Sequence, residues 1–182
     1  GGRALKGLLA SECDDIVFAL REGGNDPQGR WAGAAQRIFG VSGAGIEGAA
    51  KLRIGSAHLP SDLQAALMFD IEKTSLTRRD VLDTLTEVRQ QTAMDETGAP
   101  RRETLRSLRV ILRDLVFNAS LNFRSPPDDD ELALLAATVK AFRRAGTGRN
   151  RGRGKLEAML LDDQNQNVTD DYFDEFRKEV GA

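Results

Sequence analysis

Apolar residues recur at helical spacing from the start of the chain. Leu5, Leu8, Leu9, Cys13, Ile16, Val17 and Leu20 share one side of the repeat, so residues 4–21 read as an amphipathic helix. It stops at Gly23, Gly24, Asn25, Asp26 and Pro27, a cluster of turn formers. Residues 40–48 are glycine-rich without a basic residue and read as a plain connection. Residues 51–59 alternate as a strand. Thr77 caps a second helix over 77–90, with Asp80 in its first turn and Val81, Leu82, Leu85 and Val88 on one face. A turn-rich loop over 92–100 leads into Arg101, Arg102, Arg106 and Arg109. Leu115, Phe117, Ala119, Leu121 and Phe123 then alternate with Val116, Asn118, Ser120 and Asn122, the clearest strand pattern, which Pro126 and Pro127 end. Residues 128–145 form a helix with acids at its start, a stripe of Leu132, Leu135, Ala136, Val139 and Phe142, and Arg143 and Arg144 in its last turn. Residues 155–161 are strand-like. From Asp162 the chain is polar until Thr169, which caps a short helix bearing Tyr172, Phe173, Phe176 and Val180.

The order helix, strand, insertion, strand, helix, loop, strand predicts an α+β fold, an antiparallel sheet with helices on one face. A ferredoxin-like unit of this kind opens with a strand that lies centrally in the sheet. The first strand is missing here, so these residues are expected to be a segment of a longer protein.

Composition narrows the chemistry. At 182 residues the chain fits one domain, and 40% hydrophobic with 30% charged residues is ordinary for a globular protein. A net charge of -2 means that any nucleic-acid binding must come from a local patch. The single cysteine, Cys13, cannot form an internal disulfide, which fits a reducing cytoplasm. No apolar run reaches membrane-spanning length, and no signal-peptide core opens the sequence. The lone histidine, His58, has no catalytic partner near it in sequence, and a packing or solvated role fits it better than catalysis.

The most informative run is Gly146, Thr147, Gly148, Arg149, Asn150, Arg151, Gly152, Arg153 and Gly154. Glycine lets a backbone turn tightly and approach a ligand closely. Arg143, Arg144, Arg149, Arg151, Arg153 and Lys155 stand among and around these glycines, with no acid between them. A helix-ending glycine and a solvated basic face are the plain alternatives. Neither accounts for glycine and arginine interleaving over the whole connection, so the run reads as a phosphate-contacting loop. A conventional phosphate loop opens a helix, whereas this one leaves a helix and enters a strand. With aromatics at 5% there is no stacking ladder for bases, so backbone recognition is expected.

Several stretches together resemble the RAMP superfamily, whose members form backbone and capping subunits of type III CRISPR effector complexes. Gly2-Arg3-Ala4-Leu5-Lys6-Gly7 is similar to the family's Leu-Lys-Gly opening of the first helix. Ile38-Phe39-Gly40 followed by Leu52-Arg53-Ile54-Gly55-Ser56-Ala57 is similar to its Phe-Gly turn and next strand. Residues 145–156 match its glycine-rich loop, with Arg149-Asn150-Arg151-Gly152 close to the usual form. Ala93-Met94-Asp95 with Thr97-Gly98-Ala99, then the strand ending Asn122-Phe123, resembles the segment that carries a protruding thumb.

The resemblance implies an RRM-related, ferredoxin-like domain over 1–163, with a thumb-like insertion over about 77–109 and an acidic segment with a short helix over 164–182. It implies a guide-RNA (crRNA) backbone-binding subunit in antiviral defence, working with target RNA and other effector subunits in the cytoplasm. Lys6 and the loop (Gly146, Gly148, Arg149, Asn150, Arg151, Gly152, Arg153, Gly154, Lys155) would face the guide. Asp95, Arg101, Arg102 and Arg106 would lie near the thumb tip, against the guide–target duplex. The family's cutting aspartate lies in the loop before the Leu-Lys-Gly opening, which is not among these residues, so the catalytic residues are unknown. RNA binding would need no cofactor, whereas a parent protein that cleaves target RNA would use a divalent metal such as magnesium. Asp14 and Asp15, adjacent on a helix, point to different faces and make a poor metal site. Two alternatives stand beside this reading: a guide-processing endoribonuclease of the same superfamily, and an enzyme binding a small phospholigand.

Overall fold

The computed structural model describes all residues except 27, 42–47, 75, 93–96, 98–105, 150, 151 and 182. The fold is α+β, with six helices and two small antiparallel sheets among the described residues, in two compact units: residues 1–56 with 119–182, and residues 57–118.

The first unit is built on α5 (Asp129–Ala141). Asp128 caps it: its side chain accepts from the Glu131 N–H at 2.9 Å, and the Glu131 carboxylate accepts from the Asp128 N–H at 3.2 Å. Its run from Ala133 to Val139 is buried on every side, so a single apolar stripe understates it. Three helices pack around it: α1 (Gly2–Glu22), α2 (Arg30–Phe39) and α6 (Thr169–Val180). Leu9, Cys13 and Val17 of α1 recur every fourth residue and are buried.

The hydropathy pattern does not signal α2. Its buried face is Trp31, Ala32, Ala34 and Ile38, and alanines stand out little from their neighbours. Asp26 starts it from outside the helix, its buried carboxylate accepting the N–H groups of Trp31 at 3.0 Å and Ala32 at 3.3 Å. Trp31 meets Phe176 of α6 edge-on, with ring centroids 4.8 Å apart, so the C-terminal helix belongs to this core.

The first sheet pairs β1 (Leu52–Ile54) with β4 (Leu121–Phe123), antiparallel, with Leu52 opposite Phe123, Arg53 opposite Asn122 and Ile54 opposite Leu121. Leu52, Ile54, Leu121 and Phe123 face the helices, while Arg53 and Asn122 face outward. Both strands are shorter than the expected spans 51–59 and 115–123. Beyond them the Gly55 N–H still donates to the Ser120 carbonyl at 2.8 Å, and His58 and Asn118 form an isolated bridge. The expected strand over 155–161 is reduced to single bridges, Arg144 with Lys155 and Leu161 with Asn167. The helix expected to reach residue 145 ends at Ala141, because residues 143–145 pair with 154–156.

The second unit holds α3 (Ser61–Lys73), α4 (Arg78–Leu85) and the antiparallel hairpin of β2 (Thr86–Gln91) and β3 (Arg106–Ile111). Thr77 caps α4 as expected, with a full capping box to Asp80. The expected helix over 77–90 nevertheless stops at Leu85. From Thr86 the chain pairs residue by residue with β3, and the β-branched Thr86 and Val88 suit a pleated strand. Helix α3 was not expected from the sequence. Among the described residues of this unit none is buried, and Met68, Phe69, Leu82, Val88, Leu108, Ile111, Val116 and Phe117 are exposed.

Candidate nucleic-acid interface

The glycine–arginine loop leaves α5 through Phe142, whose buried ring anchors its start. Its two ends are joined: the Ala145 N–H donates to the Gly154 carbonyl at 2.9 Å, and the Leu156 N–H donates to the Arg143 carbonyl at 3.0 Å. Gly154 makes that closure feasible. Its φ is 65°, and a Cβ there would stand 1.8 Å from the Ala145 carbonyl oxygen. Gly146 and Gly152 also have positive φ, but a side chain at either would meet open space. Inside the loop, the Arg149 N–H donates to the Gly146 carbonyl and the Arg153 N–H to that of Gly148, both at 3.3 Å. The Arg153 side chain lies against Gly148.

Arg149, Arg153 and Lys155 are exposed, as are Arg143 and Arg144 at the loop's base, and none makes an ion pair among the described residues. Asn150 and Arg151 lie outside the described residues. Lys6, half-buried on α1, is likewise unpaired among them. Its ammonium is held below the usual lysine range by burial and then by the charge of Arg124 at the end of β4. The start of α1 is pressed onto β1, since a Cβ on Gly2 would stand 2.2 Å from the Ile54 carbonyl oxygen. Of the expected thumb residues, Asp95, Arg101 and Arg102 lie outside the described residues. Arg106 opens β3 opposite Gln91, exposed, in the second unit.

The cations of the first unit fall into two sets. Arg30 donates to Asp130 at 2.5 Å and 2.8 Å and also reaches Glu179, and both hydrogen bonds push its pKa upward. Arg37 at 2.6 Å and Lys51 at 2.8 Å converge on the buried Glu131 carboxylate. Lys140 meets Asp170, and Arg177 and Lys178 pair along α6. These ion pairs knit α2, β1, α5 and α6 together or brace a helix. The second set, Arg3, Lys6, Arg53, Arg124 and the loop cations, has no acid partner among the described residues. Sequence reasoning did not single out Arg53 and Arg124 as site residues. Arg53 alternates with Leu52 and Ile54, and Arg124 directly follows the strand pattern that ends at Phe123, which was the available signal.

Other chemistry has less structural support. His58 is exposed, and its backbone bridges to Asn118 while its side chain makes no hydrogen bond among the described residues. A cleft of about 360 Å³ beside the loop is lined by Lys140, Arg143 and Asn167, but Asp170 already holds the Lys140 ammonium, which also lies 4.8 Å from the Phe173 ring centroid. No helix among the described residues is long and apolar enough to cross a membrane. No known protein family matches the sequence, and no curated protein matches it.

Proposed function

We propose that this chain binds RNA along its phosphate backbone, as a guide-RNA-holding subunit of a type III CRISPR interference complex. The observation that carries the reading is the sorting of charge in the first unit. Cations near α2, α5 and α6 are neutralised within the protein, whereas those described in the glycine–arginine loop are exposed and unpaired among the described residues. An unpaired guanidinium on a loop whose two ends are hydrogen-bonded together is suited to a phosphate oxygen. The loop's described residues include no aromatic side chain, which favours the sugar–phosphate chain over the bases. The assignment to an interference complex rests on the family resemblance. The exposed apolar residues of the second unit support its further implication that the chain works in an assembly. A unit with no buried residue among those described gains little from folding alone.

The test is a fluorescence titration of labelled single-stranded RNA against the wild-type chain and an Arg149→Ala, Arg151→Ala, Arg153→Ala variant. The variant should bind unrelated sequences about equally more weakly, with a salt slope smaller by about 0.7 for each phosphate that is no longer neutralised. A loss confined to one sequence would refute backbone recognition. In the assembled complex, deleting residues 94–102 should spare guide binding and disturb target pairing beside this subunit. Undisturbed pairing and cutting would remove the thumb assignment.

A further inference from the structure

We infer that the outer face of the β1–β4 sheet is a second phosphate-binding surface, with Arg53 and Arg124 as its cations and Asn122 as a neutral donor between them. This rests on the RNA-binding reading above and adds a site away from the loop. The register fixes the arrangement. Arg53 stands directly opposite Asn122 on that face, and Arg124 follows immediately after β4, exposed beside them. Arg124 is held at the sheet, its N–H donating to the Lys51 carbonyl at 2.9 Å. All three side chains are exposed, and neither arginine has an acid partner among the described residues.

Arg124 also has a cationic neighbour in Lys6 of α1, whose pKa is lowered by burial first and then by the charge of Arg124. Such an arrangement is unfavourable in the free protein and is relieved by an anion. The apolar side chains of both strands, Phe123 included, are turned to the core, so the outer face offers donors and charge with no ring on which a base could stack. The ligand is therefore a phosphate chain, and for a flat two-stranded surface we commit to single-stranded RNA.

The experiment uses a labelled oligouridine and three variants of the full chain: Arg53→Ala with Arg124→Ala, Arg149→Ala with Arg153→Ala, and Arg177→Ala with Lys178→Ala as a charge-matched control on α6. Circular dichroism and melting temperature establish that each is folded. The sheet variant should bind about tenfold more weakly at low salt, with the slope of log affinity against log salt reduced by about 1.4, and the control should leave both near wild type. If the loop variant weakens binding while the sheet variant matches wild type, the sheet site is wrong and the RNA-binding reading stands. If the control falls as far as the sheet variant, the effect is net charge alone and the site is wrong. If the wild-type chain does not bind the oligonucleotide, both readings fall together. A duplex bound more tightly than the single strand through Arg53 and Arg124 would overturn the choice of ligand.

Discussion

At the scale of single residues, Glu131 is the group on which the first unit depends most. Its side chain is fully buried, caps the start of α5, and receives both Arg37 and Lys51. Removing it leaves Lys51 without an acid partner and Arg37 with Asp128 alone, at 3.0 Å, although both cations retain a path to solvent. Glu131→Ala is expected to cost about 3 kcal/mol, read by denaturant unfolding. Cys13 gives a sharper test of packing. It has no exposed surface, and burial pushes its thiol up to about 11, despite an opposing hydrogen bond with Thr138. Ellman's reagent should react with it only when the chain unfolds, and prompt labelling of the native protein would contradict this core. Gly154 can be separated from the other loop glycines in the same way. Gly154→Ala should lower the melting temperature more than Gly152→Ala, since both have positive φ but only the first meets backbone.

At the scale of elements, the cap and the ion pairs decide how helices meet. Arg30 bridges the start of α2 to Asp130 on α5 and Glu179 on α6. Its hydrogen bonds hold the Asp130 carboxyl below the ordinary carboxylate range. The folded pKa therefore lies below the unfolded one. The stabilisation is present above about pH 4 and is lost as pH falls through the folded value. Asp130→Asn should flatten the acid limb of a stability–pH curve below about pH 4, and an unchanged limb would mean that the pair contributes nothing. The boundary between α4 and β2 shows the same competition in the backbone. Thr77 and Asp80 start the helix locally, but pairing with β3 outweighs continuation past Leu85.

At the scale of the whole molecule, the two units differ in what holds them. The first has a continuous buried core running from Leu9 to Phe176, while the second has no buried residue among those described. A two-stranded hairpin with both faces exposed is marginal in water. Amide exchange should therefore be slowest in α5 and far faster throughout residues 57–118, and RNA-dependent assembly should slow exchange at Met68, Phe69 and Ile111. Equal protection of the two units in the free chain would show that the second has a core of its own.

What the sequence settled by itself was local: α1 and α5 with their apolar spacing, the Thr77 and Asp128 caps, and a loop whose glycines and arginines can be read without a partner. These signals lie within a turn or two of chain, and the resulting α+β class followed from their order. Tertiary structure decided the rest, because it depends on residues far apart in sequence. Strand lengths were set by which segments pair, as Leu52 does with Phe123, and a strand pattern without a partner, as over 155–161, stayed mostly unpaired. The alanine face of α2 became apolar surface only against α5. Most telling are the arginines, which look alike in sequence. Arg30 and Arg37 are taken up by acids about ninety or more residues away, whereas Arg53 and Arg124 are left exposed, and only the packing of α2 on α5 separates the two kinds.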